Sequence, residues 1–138
     1  MLNAIHINKY IKKWLQGCDK ITAVVPKKNI APLILNPTNF PIITFAHGAI
    51  EPDYSMLPDG RSFDNVEVSI VVVSDDYEQS INIMSDVREL FEFCSYKDEE
   101  ISIPLISVDS ITEDFQDNAY IQEMILKFEV ETLKNNEN

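Results

Sequence analysis

Glycine is scarce in this 138-residue chain: Gly17, Gly48 and Gly60 are too few for a Gly-rich phosphate-cradling loop. Cysteine is scarcer. Cys18 and Cys94 cannot make a disulfide framework or a four-cysteine metal site, and so small a number suits a reducing cytoplasm. The two histidines, His6 and His47, are too far apart in sequence for a local metal-ligand spacing. No apolar run reaches the roughly 18 residues of a membrane span, and Met-Leu-Asn-Ala does not read as a signal peptide. No Gly-x-Ser-x-Gly turn carries a serine nucleophile. The acids from Asp53 to Asp59 lack the alternating ligands of a calcium loop, and nothing singles out two carboxylates as a glycosidase pair. The expectation is no enzyme, no catalytic residue, no cofactor and no metal.

Cations are few as well, 11 Lys and Arg against 23 Asp and Glu, for a net charge of −12. Their placement is uneven. Residues 1–28 carry six lysines against Asp19 alone, a net +5; residues 51–131 carry 21 acids against four bases, a net −17. A basic start and an acidic body suit head-to-tail self-association steered by the field. A solvated acidic surface that favours solubility is the plainer reading. Tight nucleic-acid binding needs cations clustered along a face, so no specific nucleic-acid partner is expected. An acidic wall would still let nucleic acid pass without sticking.

What is present reads as one domain over residues 1–138, with enough apolar sequence (45% of residues) for a core of its own. Ile7, Ile11, Trp14 and Leu15 fall at helical spacing within residues 3–16, and Gly17 is a plausible end. Residues 21–25 are β-branched and stopped by Pro26; residues 27–41, with three prolines, read as an extended connection holding a short edge strand. Residues 41–47 predict a strand, and residues 48–63 a long irregular segment, longer than a hairpin needs. Residues 64–74 are the clearest strand, with Val66, Val68, Ile70 and Val72 on one face. Asp75 and Glu78 form a capping-box pattern opening a helix to about Cys94, which should bury Tyr77, Ile81, Met84, Val87, Phe91 and Cys94. Residues 101–108 make a strand interrupted by Pro104, residues 109–118 an acidic loop, and residues 119–132 a closing strand; residues 134–138 should fray. Cys18, Cys94 and Trp14 read as packing residues. The order of elements is that of an α+β domain: an antiparallel sheet with an N-terminal and a central helix packed against it.

In that order and spacing the chain resembles the tail-completion proteins of tailed bacteriophages and prophages, a group that includes tail terminators. The resemblance is carried by IHINKYIKKWLQ leading into ITAVVPKKNIAPLIL, by the proline-led FPIITF and the long loop after it, by NVEVSIVVVSDDYEQSINIMSDVRELF, and by AYIQEMILKFEVE. Together these cover nearly all of residues 5–132. It implies a homo-oligomeric subunit, in a hexameric ring, that caps the tail tube and joins it to the head connector. The implied partners are other copies of itself, the tail tube protein and the head-tail connector protein, with no membrane. The implied location is the virion tail, and the host cytoplasm during assembly. The acidic 109–118 segment and the basic first helix are not features of that resemblance. The candidate assembly contacts are Lys9, Lys12 and Lys13 on the helix, and Asp53, Tyr54, Met56, Leu57, Asp59 and Arg61 on the 48–63 segment, together with the edge near Pro104. The competing expectation is an acidic dimeric chaperone or adaptor holding a segment of a partner protein.

Overall fold

The computed structural model describes residues 4–33, 39–53, 63–99 and 101–132. A 3-10 turn, Ala4–His6, runs into helix α1, Ile7–Gln16. Its apolar stripe behaves as the spacing predicts: Ile7, Ile11 and Leu15 are fully buried and Tyr10 nearly so, while the lysines face outward. Gly17 ends it, donating its N–H to the Lys13 carbonyl at 3.0 Å. A Cβ at Gly17 would meet that same carbonyl oxygen at 3.1 Å, so the close approach favours glycine. The β-branched stretch that follows does not extend; a four-residue helix α2, Asp19–Thr22, holds Ile21 in the core.

Six strands form one sheet: β1 Ile30–Pro32, β2 Ile42–Asp53, β3 Phe63–Ser74, β4 Tyr96–Lys97, β5 Ile101–Gln116 and β6 Ala119–Thr132. Their spatial order is β1-β2-β3-β6-β5-β4. Every pair is antiparallel except β1 with β2, where the short edge strand lies parallel through Ile30↔Ile43, so the sheet is not purely antiparallel. Helix α3, Tyr77–Phe91, packs on β3, β5 and β6, and α1 packs on β1 and β2. Alternation sets the buried face. Val66, Val68 and Ile70 of β3 meet Phe128, Leu126 and Met124 of β6, and with Val72 they form the main apolar core beneath the helices. Phe91 lies at its centre, with Trp14 and Phe128 edge-on at 6.2 Å each. A smaller cluster, Ile42, Val73 and Ala119, lies apart from it.

Five expectations are corrected. The segment 48–63 is not irregular from its start, because β2 runs to Asp53 and β3 begins at Phe63; an irregularity between His47 and Ile50 lets the strand continue past Gly48. The helix cap is Asp76, not Asp75: its carboxylate accepts from the Gln79 N–H at 3.3 Å, while Ser74 Oγ accepts from the Asp76 N–H at 3.1 Å. The helix stops at Phe91, so Cys94 lies beyond it and is only half-buried. Its buried stripe is Ser80, Ile83, Met84, Val87 and Phe91, leaving Tyr77 and Ile81 exposed.

The fifth correction matters most. Residues 109–116 are not a loop but the outer half of β5, and a two-residue turn returns the chain into β6. Asp117 and Asn118 take φ of 52° and 61°, the left-handed pair that a type I′ hairpin needs and that Asp and Asn tolerate. Register shifts sit between Ser102 and Leu105, around Pro104, and between Val108 and Ser110. Proline, lacking an N–H, is accommodated at such an irregularity.

Candidate assembly surface

Of the residues nominated by sequence, Lys9, Lys12 and Lys13 lie exposed on the outer face of α1. Lys20 is different. Its ammonium reaches Glu89 at 3.2 Å and Asp86 at 3.5 Å on α3, and the hydrogen bond to Glu89 above all holds its pKa above the usual lysine value. Lys27 and Lys28 are exposed in the 3-10 turn that leads into β1, and Gln16 Nε2 ties that turn to α1 by donating to the Lys27 carbonyl at 3.0 Å. Five lysines therefore remain displayed around α1 and the β1 edge. Asp53 is half-buried at the end of β2, remote in sequence and element from the lysines. Tyr54, Met56, Leu57, Asp59 and Arg61 lie outside the described residues.

The opposite edge carries what sequence reading missed. Beyond Ile106, which exchanges hydrogen bonds with Phe93 and Cys94, β5 is paired with β6 alone among the described residues. On this outer half Ile111, Glu113 and Phe115 share the helix side of the sheet, and Thr112, Asp114 and Gln116 the other. Ile111 and Phe115 are 38% and 53% exposed, and beside them Tyr77 and Ile81 of α3 are 44% and 39% exposed. Tyr120 joins the patch, its ring 4.8 Å from Phe115 and 5.3 Å from Tyr77. Further down the strand, at the Pro104 irregularity, Leu105 and Phe93 are exposed too.

This patch is held by hydrogen bonds. Glu113 Oε2 accepts from the Tyr77 hydroxyl at 3.0 Å and from Gln122 Nε2 at 3.1 Å. Gln122, buried, also donates weakly to Ser80 Oγ at 3.4 Å, and Ser80 donates to the Tyr77 carbonyl at 2.6 Å. The first turn of α3 is thereby fastened to the hairpin. The bond to Glu113 raises the Tyr77 phenol above its ordinary value, since losing the proton would set two negative charges face to face. Asp109, Glu113, Asp114 and Asp117 make this end acidic, and Lys127, 3.6 Å from Asp109, offsets it locally.

The other face of the sheet has a shallow open depression of about 400 Å³ lined by Glu51, Glu67, Leu105, Lys127 and Glu129 among others. It is polar, open and without convergent donors. Among the described residues no group of three or more His, Cys, Asp or Glu side chains could hold a metal ion. Among the same residues no helix is long and apolar enough to cross a membrane.

No protein-family model and no curated protein matches the sequence. Among solved structures the fold is similar to a chain of the "Virion of native gene transfer agent (GTA) particle". The likeness has a TM-score of 0.67 and covers 88% of this chain and 91% of that one, at 8% sequence identity. At that identity what is shared is the fold.

Proposed function

We propose that this chain is a structural protein of a phage or prophage virion, a ring subunit that completes the tail by capping the tube and joining it to the head connector. The observation that carries this is the fold likeness to a chain of a phage-like virion particle, which spans nearly the whole of both chains. The order of strand, acidic cap and helix in the sequence supports it independently, and so does the separation of exposed lysines from the acidic hairpin. The mechanism is geometric rather than catalytic. A heterologous contact repeated about a closed rotation makes a ring, and the ring's face then matches the last ring of the tube. An acidic inner wall repels nucleic acid and lets it pass. The connection between β2 and β3, with Tyr54, Met56, Leu57, Asp59 and Arg61, contributes tube or neighbour contacts in this reading, as do Lys9, Lys12, Lys13 and Asp53. The protein sits in the host cytoplasm until assembly and in the virion tail after it.

The test is native mass from low micromolar to near-millimolar protein, with and without the tail tube protein. A closed ring, six-membered above all, supports the proposal. A tight dimer at every concentration, with an unfolded partner segment bound, replaces it by the chaperone reading. A chain shortened across residues 54–60 should fold and fail to assemble on tube; assembly at the normal level would remove that connection from the interface.

A further inference from the structure

Exposed apolar side chains and charge are not scattered over this molecule. Nine large hydrophobic side chains are exposed among the described residues, and four of them (Tyr77, Ile81, Ile111 and Phe115) lie on the outer half of β5 or on α3 beside it, with Phe93 next to β5 and Leu105 on the opposite sheet face further along. The same side holds the backbone of residues 107–116, which no second strand covers among the described residues, and the acids Asp109, Glu113, Asp114 and Asp117. Across the sheet, at its β1 edge, stand Lys27, Lys28 and the exposed Leu33, whereas Lys9 and Lys13 of α1 lie beside Asp98 of the β4–β5 turn.

We infer that the outer side of β5 in one copy docks against the lysine-bearing β1 edge of a second copy. Three observations select that occupant. The acids along β5 repel a second β5 edge, so symmetric edge-to-edge pairing is disfavoured, and a cationic surface is required. At the opposite edge Lys27 and Lys28 supply such a surface with few acids beside it, and two different edges meeting give a head-to-tail contact that propagates to a ring. The aromatic patch is already ordered by the Tyr77–Glu113–Gln122 hydrogen bonds, so little freedom is lost when it is covered. Phe115, the more exposed of the hairpin's two exposed large apolar side chains, is the anchor; the charges set orientation and encounter rate. This contact rests on the ring reading and specifies it.

The test is a charge swap on the full chain, with circular dichroism and thermal melting confirming that each variant folds. Variant one is Asp109→Lys with Asp114→Lys; variant two is Lys27→Glu with Lys28→Glu. Each alone should lose self-association by at least tenfold in concentration. Mixed one to one they should recover it, because each altered edge then meets its opposite. Carbodiimide cross-linking of a mixture of light and 15N-labelled wild-type chains should join acids of β5 to Lys27 or Lys28 at the β1 edge between copies. Wild-type association with both variants unaffected, or a mixture that fails to recover, overturns this contact and leaves the ring standing. A wild-type chain with no higher species and no intermolecular cross-link at near-millimolar concentration overturns the contact and the ring together. Phe115→Ala is the variant that keeps all charge; unchanged association would remove the aromatic patch from the interface.

Discussion

Tyr77 is exposed yet constrained, and its phenol reports on the hairpin. The hydrogen bond to Glu113 raises its pKa above the ordinary 10.0, so the folded chain holds this proton more tightly than the unfolded one. That contribution is complete below the ordinary value and is lost as pH climbs through the raised one. In an alkaline absorbance titration Tyr77 should ionise later than a free tyrosine, and Glu113→Gln should return it toward the ordinary value. No change on that substitution would mean that the bond does not form in solution. Phe91 poses the opposite case. It is fully buried between Trp14 and Phe128, so Phe91→Ala should cost about 3–5 kcal/mol by loss of burial and creation of a cavity. Trp14, the single tryptophan, is stacked on Tyr96 at 3.9 Å and gives the fluorescence signal for urea unfolding. A cost under about 1 kcal/mol would show that this site collapses or is wet.

At the scale of elements, two substitutions separate the structure from the simpler sequence reading. Asp76→Ala should lose about 1 kcal/mol with the cap of α3, whereas Asp75→Ala should be nearly silent; the reverse order would restore Asp75 as the cap. Asn118→Val should cost roughly 1–2 kcal/mol at a left-handed position that a β-branched residue resists, and Asn118→Gly should not. The elements with strong apolar period were legible: α1 from Ile7, Ile11 and Leu15, and β3 from Val66 to Val72. The outer half of β5 was not, because Asp and Glu are poor strand formers and their density reads as a loop. The signal was there nonetheless in the alternation of Ile111, Glu113 and Phe115, followed by Asp117-Asn118. Tyr77 and Ile81 were misread for a related reason. Their spacing fits one helical stripe, but the small Ser80, close to Gln122, turns the neighbouring stripe with Ile83 toward the sheet. Half of the candidate surface, the lysines, was visible as charge; the aromatic half needed the hairpin to bring α3 and β5 together.

For the whole molecule, the separation of charge is also a prediction about conditions. Contacts between exposed opposite charges weaken as salt shortens the screening length, about 8 Å at physiological ionic strength. Self-association should therefore fall as sodium chloride rises from 50 mM to 500 mM, and a salt-insensitive complex would assign the interface to apolar contact alone. Heterologous assembly through two edges demands that each subunit offer its rim without loosening its middle, and the sheet is divided in that way. The β3–β6 pairing runs without interruption from Phe63↔Glu131 to Ser74↔Tyr120, whereas β2 and β5, flanking it, both carry register shifts. Amide exchange should follow this division: slowest in the central pair, which is flanked by strands on both sides, and orders of magnitude faster along residues 107–116, where opening breaks few buried contacts. The outer half of β5 is then the shallow layer of the sheet, and the β6 strand that carries it belongs to the deep one.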